Sequence, residues 1–541
     1  MIVVYDRLST ALLKEVFIKV GFSCCGLNAL NYIYNTRLST AKMLELFCDL
    51  CTAHTLIIFT VTLTLVWLTS TLLQRRGAPP GPFPLPVIGN LLMFASAGTK
   101  QLELFEDLHA KYGKIFSFSL GALKFIVIND IKVMQNAFVK QGNIFSNRPH
   151  ENLYILKITE DKVGRGLILS DGVEGKEIRK VSLTAMRDLG FGKKSLEDKI
   201  DEEAQVLLEL LDKQEGKPLT AKRLLSKVTS NVICSIIFGS RFSYEDPKFT
   251  KLLAILEEST KVNPIFIPVN FFPILRFIPA MQKQIDTFIH TFKSTDDYIQ
   301  QLTLDHEKSF DPKNIRDFVD MTIEMRTKNK GNVHFSDTNM RHVIVDLFLG
   351  GSDTTATSLD WALLFMAAYP DIQAKCQQEI DQALGKGRRV TIADKANMRY
   401  TEATLLEVLR SKPVAPLCPP HCTSRDTTLC GYTIPSNTIV LSNIKIINND
   451  PALWPEPEKF SPSNFLDSNG NIINREKLMS FSVGPRSCIG ENLAKMELFL
   501  LFTSVLQFFT IQTIPGQEVN LDAHLGFVYQ PTPQNLVFAK R

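Results

Sequence analysis

One ten-residue stretch near the end of the chain, Phe481-Ser-Val-Gly484-Pro-Arg486-Ser-Cys488-Ile-Gly490, constrains the rest more than any other segment. It sets a cysteine in a loop opened by glycines, just ahead of an apolar run that includes Leu493, Met496, Leu498 and Phe499. A thiol at a helix N-terminus meets the positive end of the helix dipole and free backbone N–H groups. Both favour thiolate, the form that binds a soft metal. Gly484 and Gly490 let the backbone approach a flat ligand closely. Phe481 can shield the sulfur, and Arg486 is a fixed cation for an anionic substituent. A buried, inert cysteine is the plainer alternative, since free cysteine is among the most buried residue types. The five residues together instead describe a haem site, with cysteine on iron from one face and propionates at the edge.

The chain has 541 residues, 45% of them hydrophobic, enough for a large core and for roughly two to four domains. A net charge of +4 is too small to argue for a nucleic-acid partner. The ten cysteines show no repeated spacing, so no disulfide framework is implied and the catalytic part is expected in a reducing compartment. Cys48-Asp-Leu-Cys51 is a lone C-x-x-C without a second pair or a strand–helix context.

Residues 1–54 form an N-terminal extension of unassigned role, in which Asn28 and Asn31 interrupt an apolar stretch from Val20 to Tyr34. Residues 55–74 read as a transmembrane anchor. Thr55 to Leu73 is uncharged and as a helix spans about 28 Å, close to the hydrocarbon thickness of a bilayer. A buried helix, or a strand in which Thr60, Thr62 and Thr64 alternate with apolar residues, is the alternative. Arg75-Arg76 then stops transfer and puts the C-terminal side in the cytosol. Residues 75–90, with Ala78-Pro-Pro-Gly-Pro-Phe-Pro-Leu-Pro86, form a stiff proline-rich hinge, and residues 91–541 form the catalytic domain. Lys114–Leu120 and Lys124–Ile128 predict two strands; from about Leu196 helical periodicity dominates until Thr433–Leu441. The fold class is therefore mainly α with a small β region, preceded by a single transmembrane helix. Val262–Pro279 carries four prolines yet is strongly apolar, as either a core-crossing connection or a lid dipping into a bilayer.

A long helix is expected from Ser336 or Asp337 to Pro370. In its middle stand Gly350 and Gly351, which cost about 1 kcal/mol each in a helix interior. They either open the helix to a ligand or let another helix pack closely. Asp353 and Thr354 beside them offer an acid and an alcohol for proton relay. Glu407 and Arg410, at i and i+3, share one helix face and would by default be a surface ion pair. His421 alone reads as a structural histidine.

The loop Phe-x-x-Gly-x-Arg-x-Cys-x-Gly, Gly351-Ser-Asp353-Thr354, Glu407-x-x-Arg410 and the proline-rich segment together resemble the cytochrome P-450 superfamily. The resemblance runs from Pro79 to the end. Phe145-Ser-Asn-Arg148-Pro, Met398-Arg-Tyr-Thr-Glu402-Ala and Asn449-Asp450-Pro-Ala-Leu-Trp454 look like microsomal family 2. The long extension resembles subfamily U, associated with hydroxylation of long-chain fatty acids.

This resemblance implies a monooxygenase with haem b held by Cys488 as axial thiolate, lined by Phe481 and Gly490. It assigns Arg148, Arg179, His421 and Arg486 to the propionates, Asp353 and Thr354 to proton relay, and Glu407 and Arg410 to a buttress. No glycine-rich dinucleotide fingerprint occurs in the required context. Electrons are thus expected from NADPH through NADPH–cytochrome P-450 reductase, with cytochrome b5 as a further partner. Arg179, Lys180 and Lys495 would offer the docking charge. The expected setting is the endoplasmic reticulum membrane, single-pass with the catalytic domain cytosolic, or else the mitochondrial inner membrane; the substrate would be lipophilic. Two positions depart from the family: Gly175 replaces the Trp of Trp-x-x-x-Arg, and Asn464 replaces an Arg or His. They predict looser haem binding and a thinner buttress. A haem-binding protein with little catalysis, or a reductase-independent isomerase or dehydratase, are the competing classes.

Overall fold

The computed structural model describes residues 53–541 apart from 160–163, 191–193, 261–263 and 386. Most of the N-terminal extension, with Val20–Tyr34 and the Cys48/Cys51 pair, lies outside the described residues. The chain divides into two units, Met1–Gly77 and Ala78–Arg541.

In the first unit α1 (Ala53–Arg75) is one continuous helix, which excludes the strand alternative. Ile58, Val66 and Leu73 on it are exposed. Threonines dilute its apolar character, and three of them turn their hydroxyls inward. Thr62 and Thr64 each donate to the carbonyl four residues back at 2.7 Å, Thr69 at 2.8 Å. Among the described residues no helix is long and apolar enough to cross a membrane.

The second unit is mostly helical with small sheets. The helices that bear on the site are α2 (Gly172–Asp188), α3 (Ala221–Ile237), α4 (Asp337–Ala368), α5 (Arg399–Ser411) and α6 (Glu491–Phe508). Helix α4 starts where its signals stand: the Ser336 hydroxyl accepts the Asn339 N–H at 3.3 Å. Pro370, suited to a first helical turn, opens the next helix instead of continuing this one. Ser358 to Ala367 are all buried, the pattern of a helix threaded through the middle of a domain. Helix α3 lies along it.

The main sheet has the order β1-β2-β6-β3, from β1 (Ile115–Leu120), β2 (Leu123–Ile128), β3 (His421–Cys422) and, after the hairpin of β4 (Thr427–Leu429) and β5 (Tyr432–Ile434), β6 (Ile439–Ser442). β1 and β2 pair antiparallel, β2 and β6 parallel, and His421 opposes Val440 across the last pair. The proline-rich segment is no free spacer at this point. Ser117 donates its N–H to Pro80 and its hydroxyl to Pro79, each at 2.7 Å, and the Asn90 N–H reaches Ser119 at 2.7 Å. The segment is thus strapped to the edge of the sheet, where prolines without N–H groups are tolerated.

Residues 264–279 are partly a core-crossing connection and partly an exposed apolar surface. Their prolines break them into short turns, Pro264–Phe266, Pro268–Asn270 and Pro273–Phe277. Ile267, Val269 and Phe271 are buried, whereas Ile274 and Phe277 are 72% and 74% exposed. One half anchors in the core and the other presents apolar side chains outward.

Candidate functional site: a cysteine loop, an arginine cluster and a glycine groove

The cysteine loop is built by backbone geometry. Gly484 sits at φ +81°, and a Cβ there would collide with the Phe138 carbonyl oxygen, so no other residue fits. Phe138 belongs to a π-helical turn, Asn136–Lys140, a rare form that often marks functional sites. The Cys488 N–H donates to the Phe481 carbonyl at 2.9 Å, closing the loop, and Gly490 caps α6 two residues later. Lys495 lies 5.2 Å from the Phe481 ring centroid and pairs with Glu491 at 2.6 Å.

Cys488 is accessible to solvent, yet protein surrounds it closely enough for burial to dominate its titration. That burial raises the thiol pKa, against the lowering effects of the Gly490 N–H, Arg179 and Lys495. The helix terminus does not by itself produce a thiolate, as the sequence suggested; a bound metal deprotonates a coordinating thiol outright.

Three arginines converge beside the loop. Arg148 is buried and donates from Nε to Ile168 at 2.8 Å and from a terminal nitrogen to Pro419 and Pro420 at 2.8 and 2.9 Å. Arg486 donates from Nε to Ser146 at 2.9 Å, and to the carbonyls of Leu167 and Ser170. Arg179 reaches the Ser487 carbonyl. All these acceptors are neutral. Burial, together with the other two guanidiniums, pushes Arg148 down to about 9; burial and Arg179 push Arg486 down to about 10. The carboxylates in their field, Asp171 and Asp346, are themselves raised by burial, Asp346 to about 7. The cluster therefore holds buried positive charge that the protein matches only in part.

His421 donates Nδ1–H to the Phe145 carbonyl at 2.7 Å and stacks on Phe138 at 4.0 Å between centroids. Burial and the neighbouring arginines hold its pKa well below the usual histidine value, so the ring is neutral there.

Opposite in character is the pair on α5. Glu407 and Arg410 are both fully buried, bound by two parallel contacts of 2.8 Å, which overturns the default of a surface pair. Arg410 also donates to Asn448, Asn449 and Pro457. Glu407 Oε1 accepts the Ser461 N–H at 2.9 Å and Asn464 Nδ2 at 3.1 Å. Asn464 thus keeps a hydrogen bond to the buttress and gives up only a charge.

Gly350 and Gly351 divide the two roles proposed for them. A Cβ on Gly350 would meet nothing within 4 Å, whereas one on Gly351 would stand 3.0 Å from the Ile233 side chain of α3. The first opens a groove in α4, and the second admits a neighbouring helix. Thr354 turns its hydroxyl onto the Gly350 carbonyl at 2.7 Å. Asp353 does not join it: its Oδ1 accepts from Lys222 of α3 at 2.7 Å. Sequence reasoning missed Lys222, because nothing local marks a partner 131 residues away.

Gly175 leaves no space for an aromatic ring. A Cβ there would lie 2.8 Å from the Ser170 carbonyl oxygen, the same carbonyl that Arg486 uses. The expected gap is closed by the turn at Ser170 that leads directly into α2.

An accessible cysteine in a glycine-shaped loop, an under-neutralised arginine cluster and an open groove on the central helix are what haem requires: a soft ligand, partners for two propionates and room above the plane. The residues present fit that group, which places the chain in the class of haem-thiolate enzymes. The family model "Cytochrome P450" matches residues 79–538, and the chain belongs to that family. It is a cytochrome P-450 monooxygenase. It is 37% identical over 87% of its length to cytochrome P-450 2J2 of Homo sapiens, covering 93% of that protein. It is 36% identical to cytochrome P-450 2U1 of Bos taurus, over 91% of this chain and 94% of the relative. With cytochrome P-450 2D28 of Mesocricetus auratus the identity is 38%, over 91% of this chain and all of the relative.

Proposed function

We propose that this chain holds haem b through Cys488 and hydroxylates lipophilic substrates, long-chain fatty acids foremost, with electrons from NADPH delivered by NADPH–cytochrome P-450 reductase and cytochrome b5. The observation that carries the cofactor reading is the partly unmatched positive charge of Arg148, Arg179 and Arg486 beside the Cys488 loop. Bound there, haem supplies the oxygen-activating chemistry, with the thiolate pushing electron density toward iron. The chain's own residues do the rest. The Phe481 carbonyl fixes the Cys488 backbone, the arginines orient two carboxylates, and Gly350 leaves room above the groove. Thr354 holds a proton at Oγ1 on the Gly350 carbonyl, while Asp353 is held by Lys222.

The fatty-acid reading rests on the resemblance to subfamily U and on the exposed Ile274 and Phe277, which suit an apolar entrance. Of the three cations expected at the reductase surface, Lys180 is exposed, Arg179 is turned to Ser487 and Lys495 is paired with Glu491. Helix α1 would hold the domain to the endoplasmic reticulum membrane in a single pass, its threonine hydroxyls already bonded to α1 carbonyls.

The test is spectral and isotopic. The reduced, CO-bound protein should show the red-shifted Soret band of a thiolate ligand, and Cys488→Ala should lose it. With reductase, NADPH and labelled dioxygen, a fatty acid should take up one labelled oxygen atom. Turnover without label would point to an isomerase or dehydratase, and no turnover of any lipophilic substrate to a binding protein.

A further inference from the structure

Helices α5 and α6 line one cavity with matching stripes. On α5 Glu402, Leu405, Leu406 and Leu409 stand at i, i+3, i+4 and i+7; on α6 Lys495, Leu498 and Phe499 stand at i, i+3 and i+4. Each stripe begins on a charge and continues apolar. The cavity measures about 370 Å³, within the range of small-molecule sites. Its floor is buried, since none of the three leucines of α5, Leu498 or Phe499 is more than 6% exposed. Its rim is basic. Lys395 comes from the turn Ile392–Asn397 and Arg475 from the turn Arg475–Lys477, which Asn474 sets at φ +61° while donating to the Asn464 carbonyl at 2.8 Å. Both cations end on one oxygen, Glu402 Oε1, at 3.2 and 2.7 Å, and Lys495 pairs with Glu491. Three cations thus meet two carboxylates. The Glu402 side chain is 9% exposed and that of Arg475 57%, so the surplus positive charge lies at the mouth. A packing fault between two helices has no reason to gather cations from two separate turns onto one carboxylate at its opening. The cavity is bordered by no residue assigned to haem.

We propose that this cavity is a second ligand site, separate from the groove on α4, and that it takes a medium-chain carboxylate. The head seats between Arg475 and Lys395, because a guanidinium and an ammonium carry more donors than one shared oxygen can accept. The tail lies along the leucines. Glu402 to Leu409 covers about 10 Å of helix, which suits a chain of that class. A short anion reaches the rim without filling the floor, and a neutral alcohol fills the floor without meeting the charge.

The test uses the full-length, haem-loaded protein with phenylimidazole on the haem iron, which blocks the groove, and labelled decanoate in equilibrium dialysis. Saturable binding of one decanoate per chain is expected. Arg475→Gln should weaken it about tenfold, the loss of a charge-assisted hydrogen bond. Ala396→Trp, at an exposed position on the cavity edge, should abolish it, and both variants should keep the parent Soret band. Decanol and acetate should each compete at least about tenfold less well. Binding lost on adding phenylimidazole would belong to the groove and overturns the proposal, as does binding that both variants leave unchanged. Competition by decanol equal to that by decanoate would reduce the cavity to an apolar crevice, and equal competition by acetate to a surface ion site. Either result overturns the assignment. Should Ala396→Trp fail to fold, the Lys395→Gln/Arg475→Gln double variant takes its place and should abolish binding; retained binding there overturns the proposal.

Discussion

Arg410 and Arg148 are buried and Arg179 and Arg486 half-buried, but the surroundings of Arg410 and of the trio differ in kind. Arg410 has a carboxylate of its own three residues away, bound in parallel, and its remaining donors end on Asn448, Asn449 and Pro457. Nothing further is needed there. The trio spends its donors on neutral carbonyls, its members repel one another, and the nearby acids are weakened by burial. Buried positive charge met by a carboxylate is scaffold; the same charge left partly unmatched is a binding site for anions. The contrast explains why two sequence features of similar composition serve different ends.

The largest expected effect tests the scaffold side. Arg410→Leu leaves Glu407 buried without its partner and should lower unfolding stability by about 3–5 kcal/mol in urea denaturation. A loss under about 1 kcal/mol would place the pair with ordinary surface bridges. Arg486→Met comes next and should separate the two sites by sign. Haem affinity should fall roughly ten- to a hundredfold, the loss of a hydrogen bond to a charged group, as read by haem transfer to apomyoglobin. The haem-free form should keep its melting temperature, because one of three repelling cations is gone. If the haem-free form is destabilised as much as by Arg410→Leu, the distinction collapses. Smallest is Gly175→Ala. Its Cβ would press on the Ser170 carbonyl at 2.8 Å and should cost about 1–2 kcal/mol by overpacking. Since that carbonyl also carries Arg486, haem transfer should quicken a few-fold. A variant with a higher melting temperature would show that the site has room after all.

Much of this was open to reading along the chain. The cysteine loop, the ends of α4 and the i, i+3 pair on α5 all depend on residues within a few positions of one another, where cap chemistry and helix periodicity act directly. Gly175 misled although its contact, the Ser170 carbonyl, lies only five residues back: a glycine in place of an aromatic residue suggests a hole, and the turn leading into α2 decides whether one exists. Asn464 misled because its amide finds Glu407 across the fold. The proline-rich segment looked like a spacer because strand edges cannot be seen in a single run of residues.

Local order by itself determined the cysteine loop, the central helix with Gly350 and Gly351, and the mostly helical class, and its motifs carried the family resemblance that implied the kind of enzyme. The loop and the helix are written in short spacings that physical chemistry interprets one segment at a time. Tertiary structure alone decided that Asp353 faces Lys222 rather than Thr354, that Gly351 admits Ile233 while Gly350 faces open space, and that three arginines share one under-neutralised site. Burial, close approach and electric field are sums over segments distant in sequence. They have no value until the chain has brought those segments together.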